Sequence, residues 1–165
     1  MNDESRKMIT MDWGNTRFQF RAAALIWSNG HLLIHRDKKV DFWVLPGGRV
    51  EFNELATEAL AREMQEELNS PAVVGPLRYV IELCGKSDND TLHEIGLYFD
   101  VELQSPPAFD ENKVVHTCQD GGANLEYRWV RPASESLQKY NFRPSFLIGK
   151  LDQRPGAITH IAVHE

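Results

Sequence analysis

One uninterrupted helical segment constrains the fold of this chain more than any other feature of its sequence. Residues 54–68 consist mostly of strong helix formers and contain neither Gly nor Pro. Leu60, Met64 and Leu68 recur at four-residue spacing and predict one apolar stripe along the helix. A helix with a single apolar stripe must bury that stripe, so the rest of the chain has to supply a core beside it.

The flanking residues predict where this helix begins and ends. Asn53 can cap the first turn with its side chain. Asn69 can adopt the left-handed conformation after the last turn, and Pro71 cannot continue a helix. We therefore expect the helix to end near Leu68.

Strand-like segments surround the helix. Residues 18–27 and 32–35 are rich in apolar side chains and flank the turn Ser28-Asn29-Gly30, which predicts a β-hairpin. Residues 42–45 predict a short strand, and Pro46-Gly47-Gly48 after it predicts a loop because these residues favour turns. We expect further strands over residues 77–84, 92–103 and 125–130, and a short terminal helix over residues 144–151.

The composition is that of an ordinary globular domain. We assign all 165 residues to one domain, 1–165, with residues 1–15 as a flexible or peripheral segment. The net charge of −6 argues against a broad basic face, so long nucleic acid is not an expected partner. The first ten residues lack the apolar run of a signal peptide, and no stretch reaches the ~20 apolar residues of a membrane span. We expect a cytoplasmic protein whose two cysteines, Cys84 and Cys118, are free thiols.

Three glutamates share one face of the predicted helix, namely Glu63, Glu66 and Glu67. The carboxyl end of a helix is electrically negative, so each carboxylate there costs ~0.3–1 kcal/mol, and mutual repulsion adds to this. A solvated acidic face is the alternative interpretation, but it would favour Lys near the helix end. A cation between the carboxylates removes both penalties. Oxygen ligands without Cys or His select a hard ion, Mg²⁺ first and Mn²⁺ second.

The segment from Gly48 to Ser70 resembles the Nudix box, a 23-residue loop-helix signature. Met64 supplies its apolar position, and Asn69 and Ser70 stand where the family usually has a glycine and an apolar residue. Asn is the best substitute for glycine at a positive φ, so the helix end is expected to survive. The six named positions of the signature are all matched, by Gly48, Glu54, Arg62, Glu63, Glu66 and Glu67.

This resemblance implies an α/β fold, an α/β/α sandwich with a mixed β-sheet. It also implies that Glu63, Glu66 and Glu67 hold the metal together with the main-chain carbonyl of Gly47. Glu54 and Arg62 would support these ligands, and Arg62 is suited to fixing a carboxylate through two hydrogen bonds.

The reaction implied is metal-dependent hydrolysis of a phosphoric anhydride bond in a nucleoside diphosphate linked to another group. The general base is left open between Glu63 and Glu67 within the motif and Glu94 and Glu126 outside it. A small nucleotide or nucleotide derivative is the expected partner; a nucleoside triphosphate and a nucleotide sugar both fit. The sequence leaves a homodimer open.

Substrate contacts are predicted at two places outside the motif. Arg36 can meet a phosphate, and Asn141, Phe142 and Arg143 precede the terminal helix where similar proteins touch a base. The alternative functions are a Nudix-fold module that binds or senses a nucleotide without hydrolysing it, and an acidic helix that binds a partner protein.

Overall fold

The structure is a computed structural model that describes residues 7–86, 89–153 and 156–165. It has two helices packed on two β-sheets. Its strands and helices in chain order are β1 Thr10–Trp13, β2 Thr16–Leu25, β3 Trp27–Ser28, β4 His31–Asp37, β5 Gly47–Arg49, α1 Ala56–Leu68, β6 Ala72–Lys86, β7 Thr91–Leu103, β8 His116–Asp120, β9 Ala123–Val130, α2 Ser134–Lys139 and β10 Thr159–His164.

The larger sheet is mixed, as expected. Its order is β1-β2-β7-β6-β10, with β5 paired to β2, and β2 runs parallel to β7 while β6 runs antiparallel to it. The smaller sheet is antiparallel, with the order β3-β4-β9-β8. The predicted α/β architecture with a mixed sheet is therefore confirmed.

Helix α1 lies where its apolar stripe predicts. Leu60, Met64 and Leu68 are buried in one core cluster with residues from β2, β7 and β9. A second cluster on the other side of the larger sheet contains Leu137 of α2 and Leu147 of a 3₁₀ turn, Ser145–Leu147. The two clusters place α1 and α2 in separate layers.

The carboxyl end of α1 agrees with the prediction, but the amino end does not. The helix begins at Ala56, two residues later than predicted, and no side chain caps its first turn. Asn53 is not the cap, because it occupies a turn at φ 64°. The carboxylate of Glu58 instead accepts a hydrogen bond of 2.8 Å from the Leu55 N–H. The predicted carboxyl end is confirmed, since Asn69 follows Leu68 in the left-handed conformation with φ 49° and ψ 41°.

The predicted hairpin forms between β3 and β4 around Asn29 and Gly30, both of which have positive φ. The strand expected over residues 18–27 is divided, however, because β2 belongs to the larger sheet and β3 to the smaller one. The three later strands are present but longer than predicted, as β6, β7 and β9. At the amino terminus, β1 forms an edge strand on β2, and residues 1–6 of the segment expected to be peripheral lie outside the described residues.

The prediction of a loop at Pro46-Gly47-Gly48 is wrong for the two glycines, which lie in a strand. Gly47–Arg49 form β5 and pair antiparallel with β2, while residues 43 and 44 make only isolated bridges. A Cβ on Gly47 would collide with the carbonyl oxygen of Ala22. Glycine is therefore what allows this segment to approach β2 closely enough to pair.

The carboxyl-terminal region departs most from the prediction. The helix expected over residues 144–151 is only the 3₁₀ turn, since Ile148 is extended and Gly149 has φ 84°. Helix α2 and the parallel strand β10 were not predicted. Both cysteines are free thiols. Across the described ranges, no helix combines the length and the apolar character that a membrane span requires.

Candidate active site

Three carboxylates from two elements converge beside α1. Glu63 and Glu67 lie one turn apart on the helix, and Asp120 ends strand β8. One oxygen from each lies within 4.8 Å of the others. Glu63 is 6% exposed and Glu67 4% exposed, so the pair is buried rather than spread over a solvated helix face.

Arg62 fixes the carboxylates on one side of this cluster. Its Nε and Nη2 donate to the two carboxylate oxygens of Glu54 at 2.7 and 3.0 Å. Its Nη1 donates to Oε1 of Glu63 at 2.8 Å and lies 3.5 Å from a carboxylate oxygen of Glu66. Arg62 thus fixes the Glu63 carboxylate, the role that the resemblance implied for it. Glu66 is exposed and lies outside the converging group.

Strands of the smaller sheet hold Glu67. The hydroxyl of Tyr127 on β9 donates a short hydrogen bond to Oε2 of Glu67, and both groups are buried. His116 Nε2 donates to the main-chain carbonyl of Glu67 at 2.7 Å. His35 Nδ1 lies 4.0 Å from Oε2 of Glu67, and the His35 ring is buried.

Burial changes the acid–base properties of these groups. It raises the pKa of Glu67 to about 8, the hydrogen bond from Tyr127 opposes this rise, and the charges of Glu63 and Asp120 add to it. Burial also raises the pKa of Glu63, against the effect of Arg62. Burial and the charge of Arg21 lower the pKa of His35 to about 3, so His35 is neutral near pH 7.

Glycine 48 makes room for the cluster. A Cβ at this position would collide with the carboxylate of Glu63. A larger residue at position 48 would therefore displace Glu63 from Arg62, which gives a steric reason for glycine at the start of the motif.

The residues present fit a divalent cation. The three converging ligand atoms are carboxylate oxygens, which is the chemistry of a hard ion. Burial first, and neighbouring carboxylate charges after it, raise the pKa of both glutamates, so ionisation of the pair is unfavourable without a positive charge between them. A cation there would lower both pKa values and offset the repulsion.

The family model described as NUDIX domain matches residues 17–147. The chain belongs to the Nudix family. The matched range includes α1 and all three converging carboxylates. It confirms the family predicted from residues 48–70, and with it the prediction of a Nudix-type pyrophosphohydrolase.

Solved structures resemble this Nudix domain in fold at low sequence identity. A UDP-X diphosphatase has a TM-score of 0.60 at 19% identity, over 86% of this chain and 66% of its own. A mutator MutT protein from Bacillus halodurans has a TM-score of 0.57 at 16% identity, over 86% and 89%. An ADP-ribose pyrophosphatase from Streptococcus suis has a TM-score of 0.54 at 11% identity, over 87% and 98%. No curated protein matches the chain in sequence.

The predicted residues outside the motif are not among the converging carboxylates. Arg36 donates to Glu126 at 2.7 Å and lies over the ring of Trp43, 4.9 Å from its centroid. Glu94 accepts a hydrogen bond from Gln19 on β2. Gly47, the expected carbonyl ligand, lies in β5 immediately before Gly48.

The three predicted base contacts, residues 141–143, differ in their exposure to solvent. Phe142 is 1% exposed and packs in the second core cluster, so its ring has no free face for a base. Asn141 occupies a turn after α2 at φ 47°. Arg143 is exposed and lines a cavity that also contains Glu94.

The sequence analysis missed Asp120, Tyr127 and His35. Asp120 precedes Gly121-Gly122, a hairpin signal that could have predicted the β8–β9 turn. No local signal places that turn beside α1. Tyr127 and His35 sit in apolar strand segments, where an aromatic residue ordinarily indicates core packing.

Proposed function

We propose that this Nudix hydrolase splits a phosphoric anhydride bond in a nucleoside diphosphate linked to another group, in a reaction that requires Mg²⁺ or Mn²⁺. The observation that carries the proposal is the buried convergence of Glu63, Glu67 and Asp120. These three carboxylates would hold the ion, with Glu66 at the rim and the Gly47 carbonyl as further ligands. When bound, the ion neutralises phosphate charge and lowers the pKa of water for attack on phosphorus.

The protein's own residues position and tune these ligands. Arg62 holds Glu63 and Glu54 in fixed rotamers through charge-assisted hydrogen bonds. Tyr127 orients Glu67 from the opposite side. Because both supports come from rigid elements, α1 and β9, the ligands are preorganised rather than gathered by the ion.

We place the general base within the carboxylate cluster, at Glu63 or Glu67. Glu126 is paired with Arg36, and Glu94 is hydrogen-bonded to Gln19 and is not among the converging carboxylates. A base must reach the attacking water within hydrogen-bond distance, and the cluster carboxylates are the ones beside the ion.

Two substrate types fit this site. The likeness to a UDP-X diphosphatase and to an ADP-ribose pyrophosphatase supports a nucleoside diphosphate joined to a sugar or another group. The likeness to a MutT protein supports a MutT-type substrate, for which we propose a nucleoside triphosphate. Both contain the same anhydride bond.

The test is release of phosphate, pyrophosphate or nucleoside monophosphate across a panel of nucleoside triphosphates and nucleotide sugars. Turnover with Mg²⁺ and its loss on chelation are expected. Glu67→Gln should reduce the rate at least about a hundredfold, whereas Glu135→Gln on exposed α2 should not change it. Tight nucleotide binding without turnover by the wild-type protein would instead assign the chain to a silent binding module.

A further inference from the structure

A cavity of about 270 Å³ lies on the side of the larger sheet opposite α1. Strands β2 and β7 form its floor, and residues 42–45 and 143–144 form its walls. Its volume is at the lower end of small-molecule sites and suits one ring system rather than a whole nucleotide.

A carboxylate on the floor distinguishes this cavity from an apolar packing defect. Glu94 is 6% exposed, and among the described residues it forms no ion pair with Lys or Arg. Its Oε2 accepts a hydrogen bond from the Gln19 side chain, which lines the same cavity. Its Oε1 accepts no hydrogen bond from the described residues, and Glu94 itself lines the cavity.

The walls offer a matching surface for a flat ligand. Phe42, an aromatic residue that is 38% exposed, lines the cavity. Val44 and Leu45 continue the apolar wall, and the exposed Arg143 adds a cation at the entrance. An aromatic wall beside a buried acceptor is the combination that binds a heteroaromatic ring by stacking and edge hydrogen bonds.

We propose that Glu94 is a specificity-determining residue that accepts a hydrogen bond from an exocyclic amino group of a nucleobase. The ligand class is therefore an amino-bearing base such as cytosine or guanine. The proposal rests on the proposed function, because it identifies the base carried by the anhydride substrate.

The chemistry of the base edges explains the selection. Cytosine carries an amino donor where uracil carries a carbonyl oxygen, and a carbonyl oxygen opposite a carboxylate is repelled. The single N–H donor of the uracil ring lies between two carbonyl oxygens, so it cannot approach Glu94 without this repulsion. A desolvated carboxylate that loses its donor is left unpaired, which makes discrimination strong.

Arg21 connects this cavity with the carboxylate cluster. It lines the cavity, and its Nη2 donates at 3.0 Å to the carbonyl of Leu45, two residues before Gly47. Burial raises the pKa of Tyr98 in the cavity and of Glu67 in the cluster, and the Arg21 charge opposes both rises, so Arg21 lies within electrostatic range of both groups. Arg21 thus offers a positive charge to the phosphates of a nucleotide whose base contacts Glu94.

The experiment measures binding without metal, separately from turnover. Isothermal titration calorimetry in EDTA would compare GMP with IMP, which differ in one amino group, and CMP with UMP, in which a carbonyl oxygen and a ring N–H replace the amino group and the bare ring nitrogen. At least about tenfold tighter binding of the amino-bearing member is expected in one or both pairs. Glu94→Gln should reduce that ratio to within about twofold, whereas Glu102→Gln, an exposed glutamate on the same strand, should preserve it.

The possible outcomes separate this inference from the proposed function. Equal binding of both members in both pairs, a preference for UMP, or a ratio that survives in Glu94→Gln would each overturn the role of Glu94. Absence of nucleotide turnover with Mg²⁺ would overturn the proposed function even if the amino preference were present. A folded Glu94→Gln protein, shown by unchanged thermal unfolding, ensures that lost discrimination reports the site.

Discussion

Replacing Glu67 by Gln should stabilise the metal-free protein at alkaline pH, although Glu67 lies at the centre of the candidate site. The carboxyl is buried, and its pKa is raised from 4.5 to about 8 by burial first and by the charges of Glu63 and Asp120. In the unfolded chain it ionises near 4.5. Between these values the native state holds a proton that the unfolded state has lost, so stability decreases as pH rises. Gln carries no ionisable proton and removes this dependence.

The size of the effect follows from the shift. The pKa of Glu67 rises from 4.5 to about 8, which corresponds to at most about 5 kcal/mol of stability that the wild-type protein loses at alkaline pH. Part of this energy belongs to repulsion by Glu63, whose own pKa is raised, so about 2–3 kcal/mol is the expectation for Glu67 alone. The cost of burying the neutral Gln amide does not depend on pH, so it shifts the plot of unfolding free energy against pH without changing its slope.

The assay is urea unfolding in EDTA at pH 5, 7 and 8.5. The stability difference between Glu67→Gln and wild type should move in favour of the variant by about 2–3 kcal/mol across this range. Saturating Mg²⁺ should remove the difference at pH 8.5, because an ion that binds only the native wild-type site stabilises it. A difference that stays constant with pH would refute the assignment of a strongly shifted buried carboxyl. Glu135→Gln serves as the control.

Two further predictions test the supports of the cluster. Gly48→Ala should weaken Mg²⁺ binding at least about tenfold and destabilise the fold by ~1–3 kcal/mol, because the added methyl group collides with Glu63. Titration calorimetry measures the Mg²⁺ affinity, and urea unfolding measures the stability. Gly156→Ala is the control, because the methyl group there meets open space. His35→Leu should gain stability relative to wild type as pH falls from 6.5 toward 3, by up to ~1.4 kcal/mol per pH unit, because the unfolded chain protonates His35 while the native state keeps it neutral. Acid titration of unfolding checks this, and parallel curves for the two proteins would contradict it.

The elements that sequence analysis predicted well are those specified by local chemistry. Helix α1 has a complete apolar stripe and an Asn that takes a positive φ at its end. The β3–β4 hairpin has an Asn-Gly turn. In both cases the residues that form the element also set its bounds, so no distant contact is needed to predict it.

The elements that were missed depend on distant contacts. Strand β10 pairs in parallel with β6, about eighty residues earlier in the chain, and alternates only between exposed and half-buried positions. Helix α2 has six residues and one buried side chain, Leu137, which is too short a pattern for a periodicity. Glu66 illustrates the same limit within the motif. Helical spacing places it beside Glu63 and Glu67, but only the tertiary packing makes those two buried and leaves Glu66 exposed.

Glu94 and Glu126 show how tertiary contacts assign different chemistry to the same residue type. Both are glutamates inside predicted strands, and sequence alone gave them the same candidate role. In the fold, Glu126 lies opposite Arg36 across a β4–β9 pair, and its charge is neutralised there. Glu94 lies opposite Gln19 across the β2–β7 pair, where a neutral amide donates a hydrogen bond to one carboxylate oxygen. A buried carboxylate oxygen beside an open cavity needs a hydrogen-bond donor from elsewhere, and a ligand is the available source. Exchanging the two environments, by Gln19→Arg, should therefore neutralise Glu94 as Arg36 neutralises Glu126, and abolish the preference for amino-bearing bases while leaving the carboxylate cluster intact.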